Sequence, residues 1–565
     1  MSQELHAASH GLQSALDRYF TACSALIATS SFVRTPNASC EIARELGRVT
    51  SFERELVRSK AAILVARNSS PLLVPISSLP DEIMLPIFQH ILRTDNSDFD
   101  IEVNEGRLPQ HSLAISQVCL RWRRIALDSR HLWSNINLSS SSLLSRKLMA
   151  RGEIFASRAS GIPLDIRIVE PLTESESDAL GFHRLLDQFF VLIESTSIGS
   201  LELKFTVRYF GRRLNRVLGR CLEYCVPGKL TQLTLKFQSD RDHLPDVSND
   251  RFLRPNDGKT MGNHVGQRAS WSVSLSNPQL DDILSPVTVL KLDKVFPYWT
   301  SKAYHGLVEL HLISWELATN SIQITEHQPG EIFRSSPALK ILHFGIEITP
   351  AQTPYPPVQL EDLEELQLQV DGIQSQQAIL RLLTPGLKPM QMHIEYEPPQ
   401  DDEKLPSSTE DELQRFLGRS NITQLFLDSH SLLLDMPAFI QLVPNLEILI
   451  LRHLRVDAID PATVLSMYGA PNYPKLHTIH FRFGRVQLDA FRWISDKRNL
   501  GLQRMTMAHS VIGDAERVKA YRLEQYTDIL QGIFPKIEFI NWPEEEFLLE
   551  DRDELVEVRY TPISF

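Results

Sequence analysis

The spacing of apolar residues along this chain changes twice, and each change marks a change of element. Over residues 1–35, Leu5, Leu12, Leu16 and Phe20 fall on one side of a helix that fades into a polar turn at Thr35-Pro36-Asn37. After it Ile42, Val49, Leu56 and Ile63 recur at seven-residue intervals, with Phe52 and Ala66 three residues after two of them. A seven-residue apolar repeat is the seam of a coiled coil, so this stretch predicts a short heptad helix. Glu45 and Ser59 are the polar members of that seam, and the helix can either dimerise or fold back on the next segment of the chain. Pro71 and Pro75 end it.

The next stretch is ISSLPDEIMLPIFQHIL. Ile83, Ile87 and Ile91 share a helical face with Phe88 and Leu92 beside them. Ser78 is its expected cap, Pro80 suits a first turn, and Asp81 and Glu82 suit the positive end of the helix. Pro86 removes a backbone donor and predicts an offset or bend. A second helical pattern, LAISQVCLRWRRIALDSRHLWSNINL, carries Leu113, Val118, Trp122, Ile125 and Ala126 on one side and Arg121, Arg123 and Arg124 on the other. Two helices of about a dozen residues cannot jointly bury this much apolar surface, which leaves a face for another element or another protein.

From Trp133 onward the pattern becomes an apolar residue, two others, an apolar residue, one other, an apolar residue. Six copies stand out: Leu230-Leu233-Leu235, Leu307-Leu310-Leu312, Leu339-Leu342-Phe344, Leu363-Leu366-Leu368, Leu446-Leu449-Leu451 and Leu476-Ile479-Phe481. Six more can be read, centred on Leu201, Leu290, Met390, Leu425, Met505 and Ile540. Several are preceded by a similar lead-in, as in Ser336-Pro337-Ala338-Leu339 and Val443-Pro444-Asn445-Leu446. Each unit suits one strand and an irregular or helical return, with stacked neighbours sharing one core. The alternate positions point to the opposite face. Gln367, Gln369, Gln424, Phe426, Arg452, His480 and Arg482 are the residues expected there to bind a protein.

Leu79-Pro80-x-Glu82-Ile83 with Ile87-Phe88, then Val118-Cys119-x-x-Trp122-Arg123-x-Ile125-Ala126, then Leu132-Trp133-x-x-Ile136, resembles the F-box, and most of all the large fungal F-box-like group. The resemblance implies binding to a Skp-type adaptor and, through it, to a cullin-RING ubiquitin ligase. It also implies a docking surface made of Leu79, Pro80, Ile83, Ile87, Phe88, Val118, Cys119 and Trp122. An acidic insert between Leu92 and Leu113 is longer than a compact F-box carries. The strand units and their lead-ins resemble the leucine-rich repeats that follow many F-boxes, although Glu347, Asp371, His430 and Leu454 stand where those repeats have asparagine. The expected fold is therefore α/β: an N-terminal helical segment and F-box helices, then a divergent leucine-rich-repeat solenoid with a parallel sheet. The expected domains are 1–73, helical; 74–140, F-box-like; 141–543, the array; and 544–565, a capping segment.

Composition narrows the function. Hydrophobic residues at 42% and charged residues at 23% describe a globular chain of 565 residues. A net charge of −12 argues against general binding to nucleic acid or anionic membrane. No signal peptide pattern opens the chain and no run of 18 apolar residues occurs, so a cytoplasmic or nuclear protein is expected. Five scattered cysteines suit reduced thiols, and Cys221 and Cys225 are expected to share a helix face and not to hold zinc. Gly258-Lys259-Thr260 lacks the leading glycine of a phosphate loop, since Leu253 stands there. No nucleophile elbow, dinucleotide loop or metal motif is found, so the expectation is no enzyme and no cofactor. The reading is a substrate adaptor of a Skp-cullin-F-box ligase that binds an unidentified substrate protein. The alternative is an interaction scaffold not engaged with a ligase.

Overall fold

The computed structural model describes residues 2–28, 36–68, 73–94, 111–171, 179–193, 196–206, 212–238, 252–255, 271–314, 323–349, 351, 353–370, 372–395, 409–428, 442–453, 455–456, 475–483, 485–487, 504–508, 511–514, 517–521 and 537–540. The chain forms two compact units, Met1–His90 with Leu113–Asp128, and Ile91–Ser112 with Ser129–Phe565. Most of the insert between Leu92 and Leu113, most of the polar stretch 238–268 including Gly258-Lys259-Thr260, residues 397–408 and the segment 544–565 lie outside the described residues.

The first unit is helical. Helix α1 (Ser2–Ala28) and α2 (Pro36–Asn68) are long and almost wholly exposed. Tyr19 of α1 reaches α2, where its hydroxyl donates to Glu45 Oε1 at 2.8 Å and its ring meets Phe52 edge-on. The bond to Glu45 pushes the Tyr19 phenol up to about 12. Three further helices follow, α3 (Asp81–Thr94), α4 (His111–Gln117) and α5 (Leu120–Asp128). The helix expected to run through Val118 is in fact two, broken at Val118-Cys119. Cys119 opens α5 by accepting from the Trp122 amide through Sγ at 3.5 Å and from the Arg123 amide through its carbonyl at 2.9 Å. Pro86 lies inside a helix that continues to Thr94. Ser78 does not cap it: its hydroxyl donates to Pro75 O at 2.7 Å and closes the turn Pro75–Ser78, while the Pro80 carbonyl accepts the first amides of α3.

The second unit is built on a 14-stranded sheet whose strand order follows the chain. Its strands are β1 (Asn135–Ser139), β2 (Leu164–Val169), β3 (Ile198–Thr206), β4 (Gln232–Gln238), β5 (Val289–Asp293), β6 (Glu309–Ile313) and β7 (Ile341–Gly345). They continue as β8 (Glu365–Leu368), β9 (Met390–Glu395), β10 (Ile422–Asp428), β11 (Ile448–Arg452), β12 (Thr478–Arg482), β13 (Arg504–Ala508) and β14 (Ile537–Ile540). Every pairing in this sheet is parallel. Parallel neighbours require a crossover, and the returns carry helices α6 (Ser145–Ala159), α7 (Ala179–Leu192), α8 (Arg212–Glu223), α9 (Asn277–Leu284), α10 (His327–Ser335), α11 (Ile373–Leu382) and α12 (Thr409–Arg419).

Two apolar rows run across the strands and are buried against these returns. One passes through Ile136, Ile166, Leu201, Leu233, Leu290, Leu310, Leu342, Leu366, Met392, Leu425, Leu449 and Ile479. Gly152 lets α6 lie close: a Cβ there would sit 3.1 Å from both Ile136 and Phe189. The Ser336 lead-in clips two units together, its hydroxyl donating to Tyr304 O at 2.8 Å and accepting from the Leu307 amide at 3.0 Å.

The sequence pattern found most strands but slipped at two. In β9 the row passes through Met392, not Met390, because Met392 is the residue that pairs with Leu366 on one side and Leu425 on the other. In β14 Ile537 pairs with Met505, so the copy centred on Ile540 is out of register. Strands β1 and β2 precede the first copy read from sequence. Within the polar stretch 238–268, Leu253–Pro255 forms a strand parallel to Trp271–Val273, because Leu253 is buried and its amide donates to Phe296 O at 2.9 Å. Cys221 and Cys225 are buried on the return side, with Cys225 Sγ donating to Cys221 O at 3.2 Å. Burial pushes the Cys225 thiol up to about 12, which suits a packed thiol and not a metal ligand.

Candidate functional site

In the helical unit, Met84, Phe88, Ile115, Ile125 and Ala126 are buried, and the Phe88 and Trp122 rings meet at 4.8 Å. Arg121 fastens α5 to the start of α3, donating to Asp81 Oδ1 through Nε at 2.9 Å and Nη2 at 2.6 Å and to the Leu79 carbonyl. The charges cluster where α3 exposes its unpaired amides, so Asp81 serves both the helix end and the fork of Arg121. Sequence reading put Arg121 on the wet side; the ion pair was not visible because it joins residues forty positions apart.

The eight residues expected at the adaptor face divide by exposure. Pro80, Ile83 and Val118 are exposed; Leu79, Ile87, Cys119 and Trp122 are half-buried; Phe88 is fully buried and packs the module. Leu120 and Leu127, which the pattern did not single out, are also exposed. An exposed Ile83, Val118 and Leu120 on a helical unit this small is apolar surface that the unit does not use for its own core.

The second candidate surface is the sheet face opposite the leucine rows. One row there runs His311, His343, Gln367, His393, Phe426, Ile450, His480 and Thr506 across β6 to β13. Gln367, Phe426 and His480 of the expected set thus stand in line. Arg452 and Arg482 pair in the next row, with Asp428 beside them, and Gln424 lies in the row before. Gln369 follows β8, its amide donating to Phe344 O at 3.0 Å. Phe426 is buried with its ring 4.0 Å from His393, so it is part of the face's own packing. Arg452 is engaged with Asp428 at 3.7 Å and lies over the Phe483 ring.

Histidines dominate the middle of this face, and His343 and His393 were not picked out from sequence. His311 and His343 stack at 3.8 Å. His311 Nε2 donates to Glu309 Oε1 at 2.8 Å and His343 Nε2 donates to Glu365 Oε1 at 2.7 Å. Lys291 Nζ also reaches Glu309, at 2.7 Å. Burial alone would raise the Glu309 carboxyl, but the bonds from His311 and Lys291 outweigh it and bring it down to about 2. Burial pushes His311 and His393 down to about 4, so both are neutral near pH 7. Among the described residues no group of three or more His, Cys, Asp or Glu could hold a metal ion, and no helix is long and apolar enough to cross a membrane.

A comparison with curated proteins finds no match for the chain. Residues 76–139 match the family model described as F-box-like, which spans α3, α4, α5 and ends with β1, the first strand of the long sheet.

Proposed function

We propose that the chain is a substrate-recognition adaptor of a Skp-cullin-F-box type ubiquitin ligase. The F-box-like match at 76–139, together with the apolar side chains of Ile83, Val118 and Leu120 left exposed on that module, is the observation that carries this reading. In it, Leu79, Pro80, Ile83, Ile87, Val118, Cys119 and Trp122 meet the Skp-type adaptor, and buried Phe88 holds the helices in place. The sheet region is read as a divergent leucine-rich-repeat array, supported by one parallel strand per unit and by the two leucine-rich rows. Its face with Gln367, Gln424, His480 and Arg482 meets a substrate protein. The protein contributes no bond-making group: it raises the local concentration of a substrate lysine near the ubiquitin carrier. Cytoplasm or nucleus is the proposed location, supported by five unbridged cysteines.

Affinity purification of the intact chain with mass spectrometry tests the reading. The unaltered chain should recover a Skp-type adaptor and a cullin. Ile83→Asp with Val118→Asp, both at exposed positions, should lose these two while keeping the partners held by the sheet. Stable partners without adaptor or cullin from the unaltered chain would favour the scaffold reading instead.

A further inference from the structure

Helix α2 spans 33 residues, and of its apolar seam residues Ile42, Phe52, Leu56 and Ile63 are exposed and Val49 is half-buried. An amphipathic helix of this length holds together in water chiefly through what its apolar face packs on. Tyr19 of α1 meets the stripe at Glu45 and Phe52, and Phe52 stays 54% exposed. The stripe repeats every seven residues and not at the 3.6-residue period of a helix lying on a globular core. A strict seven-residue stripe stays straight only if the helix supercoils with a similar helix.

The flanking charges specify which helix. With Ile42, Val49, Leu56 and Ile63 in the first seam position, the position just before each carries Glu41, Arg48, Glu55 and Ala62, and the position four after carries Leu46, Glu53, Lys60 and Arg67. In a parallel, in-register pair each former residue faces the latter residue five further along on the other helix. Arg48 then faces the partner's Glu53 and Glu55 faces the partner's Lys60, each twice by symmetry, with no like charges opposed at these flanking positions; in the seam itself Glu45 meets the partner's Glu45. We propose that a second copy of this chain covers the stripe, two α2 helices pairing parallel and in register.

The seam residues support that choice. Three of the four first-position residues, Ile42, Val49 and Ile63, are β-branched, as in two-stranded coils, with Leu56 the fourth. The polar seam residue Glu45 is already held by the Tyr19 hydroxyl at 2.8 Å and by Arg48 at 3.1 Å. Arg48 and Glu55 pair within their own helix, Glu55 with Arg58 at 2.7 Å, at exposed sites where such pairs exchange at little cost. The stripe from Ile42 to Ala66 is about 36 Å long and about 10 Å wide, which gives roughly 700 Å² over the two copies, the size of a weak, concentration-dependent interface. The exposed Leu5, Leu12 and Leu16 of α1 would add to it. This dimer does not depend on the adaptor reading.

Sedimentation velocity on the full chain across a micromolar dilution series should give twice the 64.4 kDa chain mass. Ile63→Glu should give the monomer mass with unchanged circular dichroism, since the residue is exposed in one copy. Glu55→Lys should weaken the dimer about tenfold by turning two attractions into repulsions, and Glu55→Lys with Lys60→Glu in the same chain should restore it. An antiparallel pair predicts the reverse, because there, according to register, either Glu55 would face Arg48 or Lys60 would face Glu53, and the double exchange would turn that attraction into repulsion. Monomer mass for the unaltered chain, or failure of the double exchange to restore the dimer, overturns the proposal. As a second readout, Leu56→Cys should cross-link between copies under mild oxidation where the unaltered chain does not.

Discussion

Acid should loosen the middle of the sheet before the rest, and the reason lies in two histidines that fold without their protons. His311 faces Lys291 from β5, Glu309 on its own strand, and His343 and Glu365 from β7 and β8. His393 faces His343, Glu365, Phe426, Asp428 and Arg452. Both are held down to about 4 from an ordinary 6.5. Between those values the unfolded chain holds more protons than the folded one, so stability is complete above pH 6.5 and falls as pH falls towards 4. At pH 5 each histidine costs about 2 kcal/mol relative to pH 7.5, and the two together cost about 4 kcal/mol where they titrate independently. Glu309, held down to about 2 from 4.5, adds its loss only below pH 4.5. Hydrogen exchange read on peptides covering β6, β7 and β9, corrected for the intrinsic rate, measures the local opening energy at the two pH values. His311→Gln keeps an N–H that can reach Glu309, so His311→Gln with His393→Gln should reduce the pH effect to less than about 1 kcal/mol. Equal pH dependence in the double variant and the unaltered chain would refute the reasoning.

Glu326 is wholly buried and accepts from Arg381 Nη2 at 2.8 Å to each oxygen and from Nε at 3.3 Å to Oε1, tying α11 to the start of α10. Arg381→Met should therefore destabilise this region by about 3–5 kcal/mol in urea unfolding, more than Glu326→Gln, because it leaves a buried carboxylate unpaired. Leu449 is wholly buried in the main apolar row between Leu425 and Ile479, so Leu449→Asp should raise hydrogen exchange across β10 to β12 while leaving β1 to β4 protected. Deleting residues 242–266 should lower stability measurably and not be neutral, because it removes buried Leu253 and the Phe252 ring stacked on Tyr298.

What could be read in advance followed the period of the apolar residues. The three-point pattern at Leu233, Leu310, Leu342, Leu366 and Leu449 located strands because a parallel sheet packed on its returns buries the same positions in every unit. It failed at β9, where Met390, Met392 and Ile394 offer two apolar frames and pairing with Leu366 selects Met392, and at β14, where Ile537, Phe539 and Ile540 offer two apolar frames and only pairing with Met505 selects one. Leu253 was lost inside a polar stretch because three residues are too few to show a period.

The candidate surfaces were legible to different depths for the same physical reason. Apolar spacing on α3 named Ile83, Ile87 and Phe88 together, since all three follow a helical period, but the period cannot say that Phe88 is buried under Trp122 while Ile83 stays exposed. That depends on the break at Val118-Cys119, which re-aims α5 and is made by a thiol acting as a cap, a role few cysteines take. On the sheet, alternation put Gln367 and His480 on the right face, but the histidine row exists only across strands. His311, His343 and His393 come from three units dozens of residues apart, and only the Cα register of β6 to β9 makes them neighbours. The low proton affinity of His311 and His393 is likewise a property of the row: burial among neighbouring strands, one per unit, removes the water from them.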